Sequence, residues 1–163
     1  MGISGSGKST LGVKLYSFLK ENHVATYLID GDEVRNFFNN DLGYTKEDRI
    51  ENIKRIILSA YLLDKNNIVT IVCNISPFEE LRLFCRGKIN NYKQIYLRKN
   101  LKESMQKDVK KMYVKNYGKT SLVGVEITFE EPAVSDLRID VDKLSVNESF
   151  EKLIHFVKQN IKL

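Results

Sequence analysis

The residues best suited to chemistry stand at the very start of the chain. Gly2, Ile3, Ser4, Gly5, Ser6, Gly7, Lys8 and Ser9 satisfy the pattern G-x-x-x-x-G-K-[ST] in full. Glycines at these spacings let the backbone wrap closely and turn successive N–H groups inward, which makes a nest for an anion at a helix N-terminus. Lys8 is placed to reach the β- and γ-phosphates of a nucleoside triphosphate, and the Ser9 hydroxyl to ligate Mg²⁺. The candidate ATP-binding residues are therefore Gly2, Ser4, Gly5, Ser6, Gly7, Lys8, Ser9 and Thr10, with Ser9 the candidate metal ligand and Mg²⁺ the expected cofactor. A chance glycine-rich turn would not lead straight into a helical segment, yet Leu11, Leu15, Phe18 and Leu19 follow at helical spacing. A phosphate loop ordinarily follows a buried strand, whereas this one starts one residue after Met1; residues upstream of Met1 are expected to belong to the natural protein.

Three further clusters carry polar groups in sequence order. They are Leu28-Ile29-Asp30-Gly31-Asp32-Glu33-Val34-Arg35, the longer run from Asp41 to Arg55 that contains Tyr44, Arg49 and Asn52, and Asn74-Ile75-Ser76-Pro77-Phe78. Each falls just past the end of an expected strand or at the start of an expected helix, which in an open parallel sheet is the edge where ligands bind. Taken singly, Asp30 and Asp32 also read as turn formers, Arg49 and Asn52 as a solvated helix face, and Tyr44 as surface packing.

The elements that must position these groups follow from periodicity. A helix is expected from Lys8 to about Lys20 and a buried strand from Val24 to Ile29, ending in an Asp30-Gly31-Asp32 loop. A long helix is expected from Lys46 to Lys65, and Ile68 to Cys73 is the strongest strand signal, β-branched and bounded by asparagines. Pro77 is expected to open a helix to about Arg86, Gln94 to Leu97 to be a strand followed by a lysine-rich helix, Leu137 to Val141 a last strand, and Val146 to Ile161 a closing amphipathic helix. Strands alternating with helices of this length imply parallel pairing with helices on both faces, an α/β fold in one domain spanning residues 1–163.

Bulk properties narrow the partners. No apolar run approaches the length of a membrane span, and the N-terminus does not read as a signal peptide. Cys73 and Cys85 lack metal-type spacing and read as reduced thiols of a cytoplasmic protein. The net charge of +5 is concentrated: seven lysines between Lys99 and Lys119 face only Glu103 and Asp108, leaving the rest of the chain close to neutral. Such a patch suits a polyanionic small molecule as well as a duplex; the small molecule is the expected partner, and neither nucleic acid nor membrane is.

Taken together and in register, the clusters resemble the adenylylsulfate (APS) kinase family, whose DGD-x-x-R, DLGF-x-x-x-DR-x-EN and ISPF stretches read very similarly from Met1 to about Asp140. The resemblance implies a P-loop NTPase-type, three-layer α/β/α fold with a mainly parallel sheet. It implies transfer of the ATP γ-phosphoryl group to the ribose 3′-hydroxyl of an anionic nucleotide, by a homodimer. On it, Asp32 is the candidate general base beside Lys8, the other catalytic residue, and Asp30 its partner in shaping the loop. Arg35 and Arg49 match arginines that hold the acceptor's anion, Asn52 an acceptor-binding asparagine, Ile75 and Ser76 acceptor contacts, and Tyr44 an aromatic that stacks on the acceptor base. Lys110, with the adjacent lysines, would close over the phosphates.

The chain departs from the family beyond residue 107. Where the family has D-P-K-G-L-Y, it carries Asp108-Val109-Lys110-Lys111-Met112-Tyr113, and its lid up to Gly124 is two residues shorter. The second aromatic of the family's base clamp is replaced by Leu122 or Val123, which alters base recognition while leaving the ATP and anion sites in place. APS-kinase-like proteins also occur in bacterial capsule pathways, where one resembling this chain would phosphorylate cytidine diphosphoramidate.

Overall fold

A computed structural model describes residues 1–100, 123–124 and 127–161. In chain order it contains α1 (Lys8–Glu21), β1 (Thr26–Asp30), α2 (Gly31–Phe37), α3 (Lys46–Lys65), β2 (Val69–Cys73), α4 (Glu79–Lys88), β3 (Ile95–Arg98), β4 (Leu137–Asp140) and α5 (Val146–Asn160). The lysine-rich helix expected after β3 lies outside the described residues.

Both strand pairings are parallel. β1 pairs with β2 from Thr26 opposite Val69 to Asp30 opposite Cys73, and β3 pairs with β4 from Ile95 opposite Leu137 to Arg98 opposite Asp140. Met1 runs alongside β3: its amine donates to the Ile95 carbonyl (2.8 Å), and its carbonyl accepts from the Leu97 N–H (2.9 Å). This ladder sets the residues of the phosphate loop at the C-terminal edge of the strands, where a ligand site belongs.

Parallel strands covered on both faces must be apolar on both, and β1 shows the alternation. Leu28 faces α1, whereas Ile29 packs with Ile56 and Ala60 of α3. One core joins Leu11, Leu15 and Leu19 of α1 to Leu97, Ile139, Leu153 and Val157, the last two from α5. On the other face, Ile53 and Ile57 of α3 meet Phe78. Gly12 lies mid-helix because Cys73 is packed against it: a Cβ there would overlap the Cys73 sulfur, with Leu28 also in contact at 3.3 Å. The Cys73 thiol in turn donates to the Lys8 carbonyl (3.3 Å), tying the start of α1 to the end of β2.

The helix starts separate by how their N–H groups are satisfied. Thr45 and Ser145 build capping boxes with Asp48 and Glu148 for α3 and α5, and Asp30 accepts from the Asp32 N–H to cap α2. The expected Asp30-Gly31-Asp32 loop is therefore a direct strand-to-helix joint, in which the last strand residue is also the cap. Pro77 does not open α4, which starts at Glu79; Glu130 reaches across to accept from the Glu79 N–H (2.5 Å) in place of a local cap. At α1 the cap position is Gly7 in the left-handed region (φ 83°), with no side-chain cap and no acid in the first turn. With neither cap nor acid of its own, the positive end of this helix faces the ligand edge.

Candidate functional site

The loop before α1 is bent back on itself. The Ser6 N–H donates to the Ile3 carbonyl (3.3 Å), and Lys8 Nζ donates to the same oxygen (2.8 Å). Gly2 lies so close beneath β3 that a Cβ would come within 2.5 Å of the Leu97 carbonyl oxygen, so no side chain fits. Ser9 Oγ donates to Asp30 Oδ2 (2.7 Å), which joins the phosphate loop to the end of β1. Burial holds the Lys8 ammonium well below the usual lysine range, at about 8, against the opposing pull of Cys73, Asp30 and Asp32 and with a further push from Lys99. A cation that is costly to keep here gains correspondingly from an incoming polyanion.

The facing side is built by α2, α3 and the turn between them. Arg35 is buried, and its Nη1 donates to the carbonyls of Leu42 (3.3 Å) and Gly43 (2.7 Å). Arg49 Nε donates to the Tyr44 carbonyl (3.1 Å). Both guanidinium groups rest against the Tyr44 ring, at 4.7 Å for Arg35 and 5.4 Å for Arg49, within cation–π range. The Arg49 pKa is lowered by burial and then by Arg35. Two like charges kept this close form a ready receptor for an oxyanion. The turn itself is fixed by Arg55, which clamps Asp41 with two 2.8 Å bonds. Asn52 is buried; its Nδ2 donates to the Gly31 carbonyl (3.3 Å), and its Oδ1 has no partner among the described residues.

The third wall is the Asn74–Pro77 loop. Asn74 Oδ1 accepts from the Ile75 N–H (2.8 Å), and Ser76 adopts the left-handed region (φ 48°) directly before a proline. Arg82 of α4, at 1% exposure, holds this strained turn. It donates to the Ser76 carbonyl (2.6 Å) and the Glu130 carbonyl (2.7 Å), and pairs with Glu79.

These walls enclose a cavity of about 620 Å³. On the α1 side it is lined by Ser4, Gly5, Gly7, Lys8, Ser9 and Thr10. Asp30 and Asp32, with Arg35, Tyr44, Arg49 and Asn52 of the facing side, also line it, and Ile75 lines it from the third wall. Of the other residues expected there, Gly2 and Ser6 lie beneath the loop, Ser6 buried at 2%, and Ser76 turns its carbonyl to Arg82; none of the three lines the cavity. Lys110 and Leu122 lie outside the described residues. Val123 and Asn74 do line the cavity, as does Cys73, which sequence reasoning does not place there. Its signal is its position at the end of β2, opposite Asp30 of β1. Among the described residues, no three His, Cys, Asp or Glu side chains group as a metal cluster, and no helix is long and apolar enough to cross a membrane.

Known proteins match this arrangement over nearly the whole chain. The family model described as adenylylsulphate kinase matches residues 1–140. An adenylyl-sulfate kinase of Halothermothrix orenii is 36% identical over 160 residues, covering 97% of this chain and 86% of that relative. One of Phocaeicola vulgatus is 38% identical, covering 96% of this chain and 78% of the relative. The solved Mycobacterium tuberculosis APS kinase in complex with AMPPNP and APS superposes with a TM-score of 0.85 at 29% identity, over 97% of this chain and 94% of that one. A gluconokinase of Sinorhizobium meliloti, 17% identical with a TM-score of 0.64, shares the fold alone. With an uncapped phosphate loop facing an arginine pair across a shared cavity, and relatives alike over nearly its full length, this chain belongs to the adenylylsulfate kinase family.

Proposed function

We propose that the chain, acting as one kinase domain over residues 1–163, transfers the γ-phosphoryl group of ATP to the ribose 3′-hydroxyl of a small anionic nucleotide, adenylyl sulfate or one like it. The observation that carries this reading is that Lys8 and Ser9 line the same cavity as Arg35 and Arg49, together with Asp30 and Asp32. The α1 N–H groups and Lys8 hold the triphosphate, while Arg35 and Arg49 hold the acceptor's anion. Asn52 Oδ1, buried without a protein partner among the described residues, accepts a hydrogen bond from the acceptor. Asp32 takes the proton of the 3′-hydroxyl as its oxygen bonds to the γ-phosphorus, and the bond from that phosphorus to the β-phosphate oxygen breaks to release ADP.

Ser9 Oγ and the Asp30 carboxylate, 2.7 Å apart, with Asp32 two residues on, are the hard oxygen donors that suit Mg²⁺. Bound there with ATP, the ion neutralises charge on the phosphate oxygens. Lys110 and its neighbours are assigned to a lid over the phosphates, and a homodimer is expected.

A second acceptor, cytidine diphosphoramidate of capsule biosynthesis, is favoured by Val123. This buried aliphatic lines the cavity along with Tyr44, a pairing that gives a purine one aromatic face and leaves room for a smaller base. An assay of ADP formation with adenylyl sulfate, cytidine diphosphate derivatives and simple nucleotides separates the two, and ATP consumption without any added nucleotide would rule out both. Arg49→Ala is expected to raise acceptor KM roughly tenfold or more, the worth of a charged hydrogen bond, with ATP KM nearly unchanged. An unaltered acceptor KM would remove the arginine pair from the acceptor site.

A further inference from the structure

Lys99 is the first residue after β3, and its side chain returns to the phosphate loop. Its Nζ donates to the Gly5 carbonyl (3.0 Å), a contact across 94 residues of sequence. Gly5 is the apex of the loop, in the left-handed region at φ 72°. A Cβ built on it would lie 3.5 Å from the same ammonium, which is ordinary contact, so Lys99 sits flush against the apex.

The two ends of the Gly5–Ser6 peptide group are thus both occupied. Its C=O accepts from Lys99, and its N–H donates inward to the Ile3 carbonyl. A peptide group is a rigid plane, so fixing both ends fixes the directions in which the neighbouring backbone N–H groups point. The base of the loop is held independently, by the pairing of Met1 with β3 and by the tight seat of Gly2 under Leu97. Among the described residues, the apex without Lys99 keeps only the bond within its own turn. The ammonium also adds positive charge at the rim of the loop, close enough to contribute to the depression of Lys8.

We propose that Lys99 is a positioning residue of the donor site: through the Gly5 carbonyl it sets the phosphate loop in the shape that receives the nucleotide's phosphates. This rests on the reading of Gly2–Ser9 as the ATP cradle. Because the effect passes through the loop, it extends to every nucleotide whose β-phosphate lies in the cradle, and it leaves the arginine side untouched.

The test is titration calorimetry of ADP and of a non-hydrolysable ATP analogue with the wild-type chain and with Lys99→Met, Lys99→Arg and Lys8→Ala, alongside acceptor KM and melting temperature. Lys99→Met is expected to weaken ADP and the analogue alike by about tenfold or more, as loss of one charged hydrogen bond implies. Lys99→Arg restores most of that loss, and acceptor KM and the melting temperature stay at wild-type values. Wild-type nucleotide affinity in Lys99→Met overturns the inference. So does weakening of the ATP analogue without ADP, since Lys99 would then contact the γ-phosphate itself, and so does an equal loss of acceptor affinity or stability. Lys8→Ala separates the two levels: if it too binds nucleotide normally, the donor-site reading falls as well.

Discussion

Arg82→Met should damage the acceptor side while sparing ATP. Arg82 is a charged side chain at 1% exposure, bonded to the Glu79 carboxylate and to the backbone carbonyls of Ser76 (2.6 Å) and Glu130 (2.7 Å). Methionine fills much of the volume but donates to none of them. Removing one member of a buried ion pair costs about 3–5 kcal/mol, mostly from the charge left behind. Glu79 is 35% exposed, so water recovers part of that, while the two carbonyls each lose a partner at about 1–3 kcal/mol if they stay buried. About 3–5 kcal/mol in all is the reasonable sum, which for a chain of this size lowers the melting temperature by roughly 6–20 °C.

The functional loss should be one-sided. Ser76 holds φ 48° ahead of Pro77 only while its carbonyl is tied down, and its loop forms the wall bearing Ile75. The phosphate loop is anchored instead to β3 and α1. Calorimetric melting with separate KM values for ATP and acceptor would test this, and Arg82→Met/Glu79→Gln should recover part of the stability by removing the stranded carboxylate. A melting temperature within about 2 °C of wild type, or equal losses for both substrates, would refute the argument.

Two further outcomes follow from the same geometry. Lys8 has a folded pKa of about 8, below its unfolded value, so the folded chain binds fewer protons between about 8 and the ordinary lysine value, and stability attributable to this group rises with pH across that window. For catalysis the sign reverses: kcat/KM for ATP should fall as pH rises through about 8 in the free enzyme, while kcat, set with phosphate beside the ammonium, holds to higher pH; superimposable profiles would contradict this. Gly12→Ala should destabilise by about 1–3 kcal/mol through overlap with the Cys73 sulfur, and Gly12→Ala/Cys73→Ala should recover most of it in chemical denaturation.

Short-range patterns are legible in the order of residues alone. The phosphate loop, the span of α3 from Lys46 to Lys65 and the parallel sense of the strands all follow from spacing within one element or between neighbours. That Asp30 caps α2 is equally local, since an aspartate followed by free N–H groups is a cap wherever it stands, although the same residues also read as a loop.

The tertiary structure decided how the elements use one another. Tyr44 reads on its own as surface packing and, by the family resemblance, as a stacking partner for a base; the fold sets Arg35 and Arg49 against its ring, one from each of two helices that meet only when both pack on the sheet. Proline chemistry alone would begin α4 at Pro77, but Glu130, 51 residues from Glu79, supplies the cap and shifts the start to Glu79. Lys99 and Arg82 carry no signal at all, being a lysine at the head of a basic run and an arginine on an ordinary helix. Their roles arise from bonds spanning 94 and 48 residues. Helical periodicity and loop chemistry act over a few residues and are written in composition and order. A contact at such separation depends on where packed layers bring two strand ends, and no local spacing encodes that.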